Sequence, residues 1–325
     1  MTTALIFGVD GQDGSYLAEL LLTKGYRVIG WTPEHIPVNQ GNLSGITGQI
    51  ELIQGDLMDQ PGLNQCLEEY RPDEVYNLAA PSFAAASWNT PILVGEIAGL
   101  GPLRILEAIR LVHPQARFYQ ASSSELFGIP DEVPQNENTR FRPRNPYGIA
   151  KLYAHWAAVN YRERYGLHAA SGILYNHESP RRGLDFVTRK IIHGAVQIKM
   201  GAADQLHLGN LDARRDWGYA ADYVEAMWKM LQQEHAADYV IGTGETHSVR
   251  EWCELSFRSL ELDYRDLVVI DPELYRPDEK YQLVADIQKA RSVLLWEPKT
   301  PFSDIVRIML EAECDSVACP RPKST

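Results

Sequence analysis

Tyr147 and Lys151 stand four residues apart in a stretch, 146–165, that opens on Pro146 and is closed by Gly166, the punctuation of a helix. Residues four apart share a helix face. An ammonium beside a phenol favours the phenolate and draws its pKa below ~10. The result is a base that takes a proton from a hydroxyl while hydride leaves to a nicotinamide. The spacing alone arises easily by chance; its position gives it meaning, because it follows the polar run Ser122-Ser123-Ser124-Glu125 and, further upstream, a glycine turn. In Gly8-Val9-Asp10-Gly11-Gln12-Asp13-Gly14 the glycines fall at i, i+3 and i+6, between an apolar strand and a helix. Missing side chains let the backbone approach a pyrophosphate, and the helix N-terminus offers free N–H groups to it. Gly8, Gly11, Gln12, Asp13 and Gly14 are therefore the expected cofactor contacts. Asp56, in Gly55-Asp56-Leu57, reads equally as an adenine contact or as a turn aspartate.

These residues need a frame that holds them together. Short apolar runs at 4–8, 26–31, 50–54, 74–78, 116–121 and 167–174 alternate with helical stretches at 12–24, 61–70, 91–111 and 146–165. Residues 32–48, rich in Pro, Gly and Asn, read as a loop. Strands separated by helices of this length predict a doubly wound, parallel α/β sheet of Rossmann type. After Tyr175 the rhythm loosens, with helices expected near 185–200, 220–232, 249–260 and 301–314. The expected division is a dinucleotide-binding unit over 1–175 with a return at 211–243. A smaller mixed α/β cap, 176–210 and 244–325, then covers the sheet's carboxyl edge and makes a cleft there.

The composition narrows the partners. With 43 acidic against 31 basic residues the net charge is −12, which disfavours nucleic acid and anionic membranes. No apolar run approaches the ~18 residues of a membrane span. Cys66, Cys253, Cys314 and Cys319 follow no disulfide or zinc spacing, and nine histidines give no metal-ligand pattern. The chain reads as a soluble, reduced, cytoplasmic protein without a metal. Trp156, Trp228 and Trp252 fall in helices and read as packing residues.

On these motifs the chain resembles the extended short-chain dehydrogenase/reductases and, among them, the GDP-mannose 4,6-dehydratase family. The resemblance covers nearly the whole chain. It rests on 11–17, on 118–125, on Pro146-Tyr147-Gly148 with Lys151, and on Asn176-His177-Glu178-Ser179-Pro180-Arg181-Arg182-Gly183, 209–218 and Arg276-Pro277-Asp278-Glu279. It implies a nicotinamide cofactor, NADP by family habit, held by the glycine turn with Asp56, Leu57, Leu78, Ala79, Ala80, Tyr147 and Lys151. It implies Ser123, Glu125, Tyr147 and Lys151 as the catalytic set, acting on GDP-mannose. Tyr147 would take the carbon-4 hydroxyl proton beside Ser123, and Glu125 the carbon-5 proton. Ser82, Asn176, Glu178, Lys190, Arg215, Arg276 and Glu279 would hold the substrate. A 4,6-dehydratase of another nucleotide-linked hexose, or a silent nucleotide-binding homologue, are the competing readings.

Two departures qualify the resemblance. The Arg pair that relatives carry after strand two to grip a 2′-phosphate is replaced by Gly30-Trp31-Thr32-Pro33-Glu34-His35, so NAD stays open. Pro81 stands where relatives have glutamine. The same loop contributes to tetramers in relatives, which leaves a tetramer open. A homodimer through 91–111 and 146–165 would not depend on it.

Overall fold

The computed structural model describes residues 1–34, 37–275 and 281–319. The first unit runs β1 (Thr3–Phe7), α1 (Gln12–Thr23), β2 (Arg27–Pro33), α2 (Gln40–Leu43), β3 (Glu51–Gly55), α3 (Gln60–Tyr70) and β4 (Glu74–Asn77). Then follow α4 (Pro91–Val94), α5 (Gly101–Val112), β5 (Arg117–Ser123), α6 (Pro146–Tyr165) and β6 (Ala169–Leu174). The remainder comprises β7 (Asn176–Glu178), α7 (Val187–Lys199), β8 (Leu206–Leu208), β9 (Arg214–Arg215), β10 (Trp217–Tyr219) and α8 (Ala220–Gln232). It ends with β11 (Asp238–Ile241), β12 (His247–Ser248), α9 (Val249–Ser259), α10 (Tyr264–Leu267), β13 (Val268–Ile270) and α11 (Phe302–Ser316).

Seven strands form one sheet in the order β11-β6-β5-β4-β1-β2-β3, every neighbouring pair parallel. The order reverses direction between β1 and β4, and a crevice opens at the carboxyl ends of strands on either side of such a switch. Strands buried on both faces must be apolar throughout, and Ala4, Leu5, Ile6 and Phe7 of β1 are fully buried. On one face α1 and α8 pack through Leu17, Leu21, Met227 and Met230; on the other, α3 and α5 pack through Leu63, Leu67, Ile105 and Ile109. A separate core of α7, α9 and α11, built on Ile192, Trp252, Phe257 and Met309, makes the second body of the molecule. Among the described residues no helix is long and apolar enough to cross a membrane.

Two elements differ from expectation. The stretch 32–48 is not all loop, since α2 and Leu43 and Ile46 tuck into the core beside α1. The helix expected over 91–111 is interrupted between α4 and α5 by a wider turn at Gly95–Leu100. Gly99 in that turn faces Ala150 of α6, where an added Cβ would lie 3.5 Å from the Ala150 carbonyl oxygen. Wide turns of this kind absorb an extra residue inside a helix, and this one sits against the helix that carries Tyr147 and Lys151.

Candidate active site

The glycine turn is shaped by its backbone. Gly8 has φ of +80°, a conformation that costs other residues a steric penalty. A Cβ on Gly14 would stand 2.1 Å from the Gly8 carbonyl oxygen and 2.6 Å from the Val9 Cα. A side chain would fill this cradle. Gly11 caps α1 without a side-chain hydrogen bond, so the first-turn amides remain available to an anion. The residues present thus fit the pyrophosphate of a dinucleotide.

Around this turn opens a cleft of about 480 Å³. Gly8, Gly11, Gln12, Asp13, Gly14, Leu78, Ala80, Ser82, Ser123, Glu125, Tyr147, Lys151, Asn176, Glu178, Lys190 and Arg215 all line it. Ala79 lies behind, its Cα backing the turn 3.0 Å from where a Gly8 Cβ would be. Asp56 and Leu57 are not brought to the cleft. Asp56 Oδ1 accepts the Met58 N–H at 2.8 Å, so it serves a turn, and Leu57 is buried in the core with α3 and α5. Arg276 and Glu279 lie outside the described residues.

The polar run ends β5 and turns at once. Ser123 Oγ accepts the Glu125 N–H at 3.2 Å. Asn145 explains how Glu125 is held, which the sequence did not disclose. As the cap of α6 it accepts the Gly148 N–H at 2.7 Å through Oδ1, and its Nδ2 donates to Glu125 Oε2 at 2.8 Å. One side chain therefore fixes both the start of the helix bearing Tyr147 and the carboxylate facing it. Beneath them Ser122 Oγ lies 3.0 Å from His155 Nδ1, buried.

Lys151 sits beside Tyr147, but the phenol moves the opposite way from expectation. The Lys151 Nζ donates to the Ala121 carbonyl at 2.8 Å and lies 5.7 Å from the centre of the Tyr147 ring. Burial, and then the Glu125 carboxylate, push the Tyr147 phenol above its ordinary value, while the Ser123 hydroxyl and the Arg182 guanidinium pull it back. Burial lowers Lys151 to about 8, against the attraction of Asp13. The reason for the correction is depth: desolvation of the phenolate outweighs the local charge.

His177 and Asp13 form a pairing that sequence spacing gave no sign of, since they are 164 residues apart. His177 Nε2 is 2.8 Å from Asp13 Oδ2, and Nδ1 donates to the Tyr175 carbonyl at 2.7 Å. Acceptors beside both nitrogens favour the charged imidazolium over the neutral ring. Burial works against its charge, but Asp13 outweighs that and raises the His177 pKa. Burial likewise opposes the Asp13 carboxylate, yet His177 holds it below its usual range. Gln12 and Ser179 add hydrogen bonds across the same seam, at 3.1 Å to the His177 carbonyl and 2.8 Å from the Ser179 hydroxyl. Gln12 and Asp13 thus line the cleft and also sew the glycine turn to β7.

The substrate candidates occupy the far wall. Glu178 is buried, accepting from Thr188 and paired with Arg182 Nε at 3.2 Å. Lys190 Nζ donates to the His207 carbonyl at 2.8 Å, and Arg215 Nη1 to the Arg214 carbonyl at 2.8 Å. Among the described residues no group of three or more His, Cys, Asp or Glu is arranged to hold a metal. The four cysteines are free and buried. Trp252 is buried as expected, whereas Trp156 is half exposed on α6.

A Rossmann sheet, a glycine-lined turn and a Ser/Tyr/Lys group over one cleft define an extended short-chain dehydrogenase/reductase. The profile of the family described as GDP-mannose 4,6 dehydratase matches residues 5–309. The chain is 46% identical over 326 residues to GDP-mannose 4,6 dehydratase 1 of Arabidopsis thaliana, covering 96% of this chain and 90% of that one. It belongs to the GDP-mannose 4,6-dehydratase family. Its fold is shared with UDP-glucose 4-epimerase of Thermotoga maritima, solved with UDP-glucose (TM-score 0.87, 22% identity, 97% and 100% of the chains covered). It is shared too with dTDP-glucose 4,6-dehydratase of Bacillus anthracis, solved in complex with NAD (TM-score 0.84, 20% identity, 97% of each chain covered).

Proposed function

We propose that the chain converts GDP-mannose to GDP-4-keto-6-deoxymannose and water, using a nicotinamide dinucleotide that ends each turnover as it began. The observation that carries this reading is the Glu125 carboxylate, held by Asn145 on the wall it shares with Tyr147 and Ser123. A reductase or epimerase has no use for a third proton-handling group at that point. When bound, the nicotinamide supplies hydride acceptance from carbon 4 and hydride return at carbon 6. Tyr147 exchanges the carbon-4 hydroxyl proton, with Ser123 hydrogen-bonded to the same oxygen. A phenol held above its ordinary value is, once ionised, a base strong enough for a sugar hydroxyl, and Ser123 and Arg182 offset part of the cost of ionising it. Once carbon 4 is a ketone the carbon-5 proton is acidic. Glu125 takes it and passes a proton to the carbon-6 hydroxyl, which leaves as water. Lys151 keeps its hydrogen bond to Ala121 and so fixes β5 against α6.

Asn176, Glu178, Lys190 and Arg215 are the residues we assign to the nucleotide end, where guanidinium forks suit a pyrophosphate. Ile92, Ile149, Tyr153 and Trp156 are exposed on α4 and α6, an apolar face that suits pairing of two copies and supports a homodimer. The free, buried cysteines suit a reducing, cytoplasmic setting. The test is a mass spectrum of GDP-mannose incubated with the purified protein. Loss of one water (~18 Da) without net cofactor reduction supports the reading; an unchanged sugar nucleotide refutes it.

A further inference from the structure

The choice between the two nicotinamide dinucleotides depends on the carboxyl end of β2, next to the glycine turn. That neighbourhood is fixed by hydrogen bonds. Gly8 donates its N–H to the Trp31 carbonyl at 3.0 Å, so residues 32–34 emerge beside the turn. The chain then folds back over it: the Asn39 N–H donates to Asp10 Oδ2 at 3.0 Å, and Asn42 Nδ2 to the Asp10 carbonyl at 2.9 Å. In doubly wound sheets this is where the adenosine ribose is read. A carboxylate there suits a free 2′-hydroxyl, and a guanidinium suits a 2′-phosphate.

Among the described residues, the side chains at this point are neutral or acidic. Trp31 is buried against Phe7, their ring centres 5.2 Å apart. Thr32 is buried with its hydroxyl toward the Ile53 carbonyl, while Pro33 and Glu34 are exposed. Asp10 contributes a second carboxylate. The sequence has no Lys or Arg between Arg27 and Arg71. Arg27 opens β2, ~20 Å from Pro33 at the strand's rise per residue, and is paired with Glu51 at 2.7 Å. Among the described residues, the Lys and Arg side chains that line the cleft come from other elements, Lys151 from α6, Lys190 from α7, Arg215 from β9 and Arg182 from the stretch before α7.

We infer that this chain selects NAD over NADP, with Pro33 and Glu34 standing where a 2′-phosphate would need cations. The inference rests on the reading of the cleft as a dinucleotide site. A 2′-phosphate carries close to two negative charges and would be set beside Asp10 and Glu34 on a protein of net charge −12. A 2′-hydroxyl carries none, and a carboxylate can accept its hydrogen bond.

The experiment is equilibrium titration of the purified protein with NAD and with NADP, followed by tryptophan fluorescence. Nucleotide released from the denatured protein is identified by mass in parallel. The titrations are run at pH 8. NAD is expected to bind at least tenfold more tightly and to be the nucleotide released. The double variant P33R/E34R is expected to shift the ratio toward NADP by at least tenfold. Wild-type NADP affinity equal to or above that for NAD, or NADP as the released nucleotide, overturns the inference whatever the variant does. Binding of neither nucleotide overturns the dinucleotide reading itself, and the inference with it.

Discussion

Replacing His177 with Leu tests whether the buried ion pair with Asp13 holds the glycine turn to β7. The two side chains are 11% and 19% exposed and 2.8 Å apart. Removing one partner of a buried pair leaves the other charge uncompensated and costs roughly 3–5 kcal/mol. The residual exposure and the Gln12 hydrogen bond at 3.1 Å place this case at the lower end, about 3 kcal/mol. Asp13→Asn keeps the contact but deletes the charge, since the amide can donate to a neutral imidazole. It should cost about 1 kcal/mol, the difference between charged and neutral hydrogen bonds. The double variant leaves only an unpaired amide and should cost about 2 kcal/mol, giving a coupling of about 2 kcal/mol.

Urea unfolding of the four proteins across pH measures this coupling. His177 has a raised folded pKa, so its contribution is complete below the unfolded imidazole value and is lost as pH rises through the folded one. Asp13 has a lowered folded pKa, so its contribution is complete above the ordinary carboxyl value and is lost as pH falls. The coupling is therefore greatest between roughly pH 4 and 6.5 and declines on the alkaline side. A coupling below about 0.5 kcal/mol at pH 6, within the scatter of independent sites, or one that grows with pH, would refute the argument.

Glu125→Gln keeps the Asn145 contact and should spare GDP-mannose binding while lowering turnover by roughly 10²–10⁴; near-normal turnover removes Glu125 from the chemistry. Lys151→Met leaves the Ala121 carbonyl without its donor at 2.8 Å and should destabilise the fold by about 1–3 kcal/mol in urea; an unchanged unfolding midpoint would contradict that role. Gly14→Ala sets a Cβ 2.1 Å from the Gly8 carbonyl oxygen. It should destabilise the fold by about 1–3 kcal/mol and weaken dinucleotide binding measured by titration.

What the sequence disclosed was local. Tyr147 and Lys151 share a face because a helix repeats every 3.6 residues, and the glycine turn declares itself between an apolar run and a helix. Pro146 and Gly166 marked the ends of α6 as the structure has them. What it hid depends on residues far apart in the chain. The charge on His177 needs Asp13 and Tyr175 around one ring, and no spacing predicts that. Asn145 went unremarked in the sequence; its bond to Glu125 exists only once the turn after β5 is folded beside α6. The direction of the Tyr147 shift was misjudged for the same reason, because a phenol's burial is a property of the whole cleft. Asp56 left two readings open in the sequence, and the structure shows the turn bond from the Met58 N–H.

The most direct test of the proposed chemistry is to follow one atom. GDP-mannose carrying deuterium at carbon 4 is incubated with the purified protein and its bound dinucleotide, and the product is read by mass and NMR. Internal hydride return predicts a product one water lighter that keeps the deuterium at carbon 6. Deuterium lost to solvent or left on free reduced dinucleotide, or a sugar nucleotide that still holds its water, would contradict it.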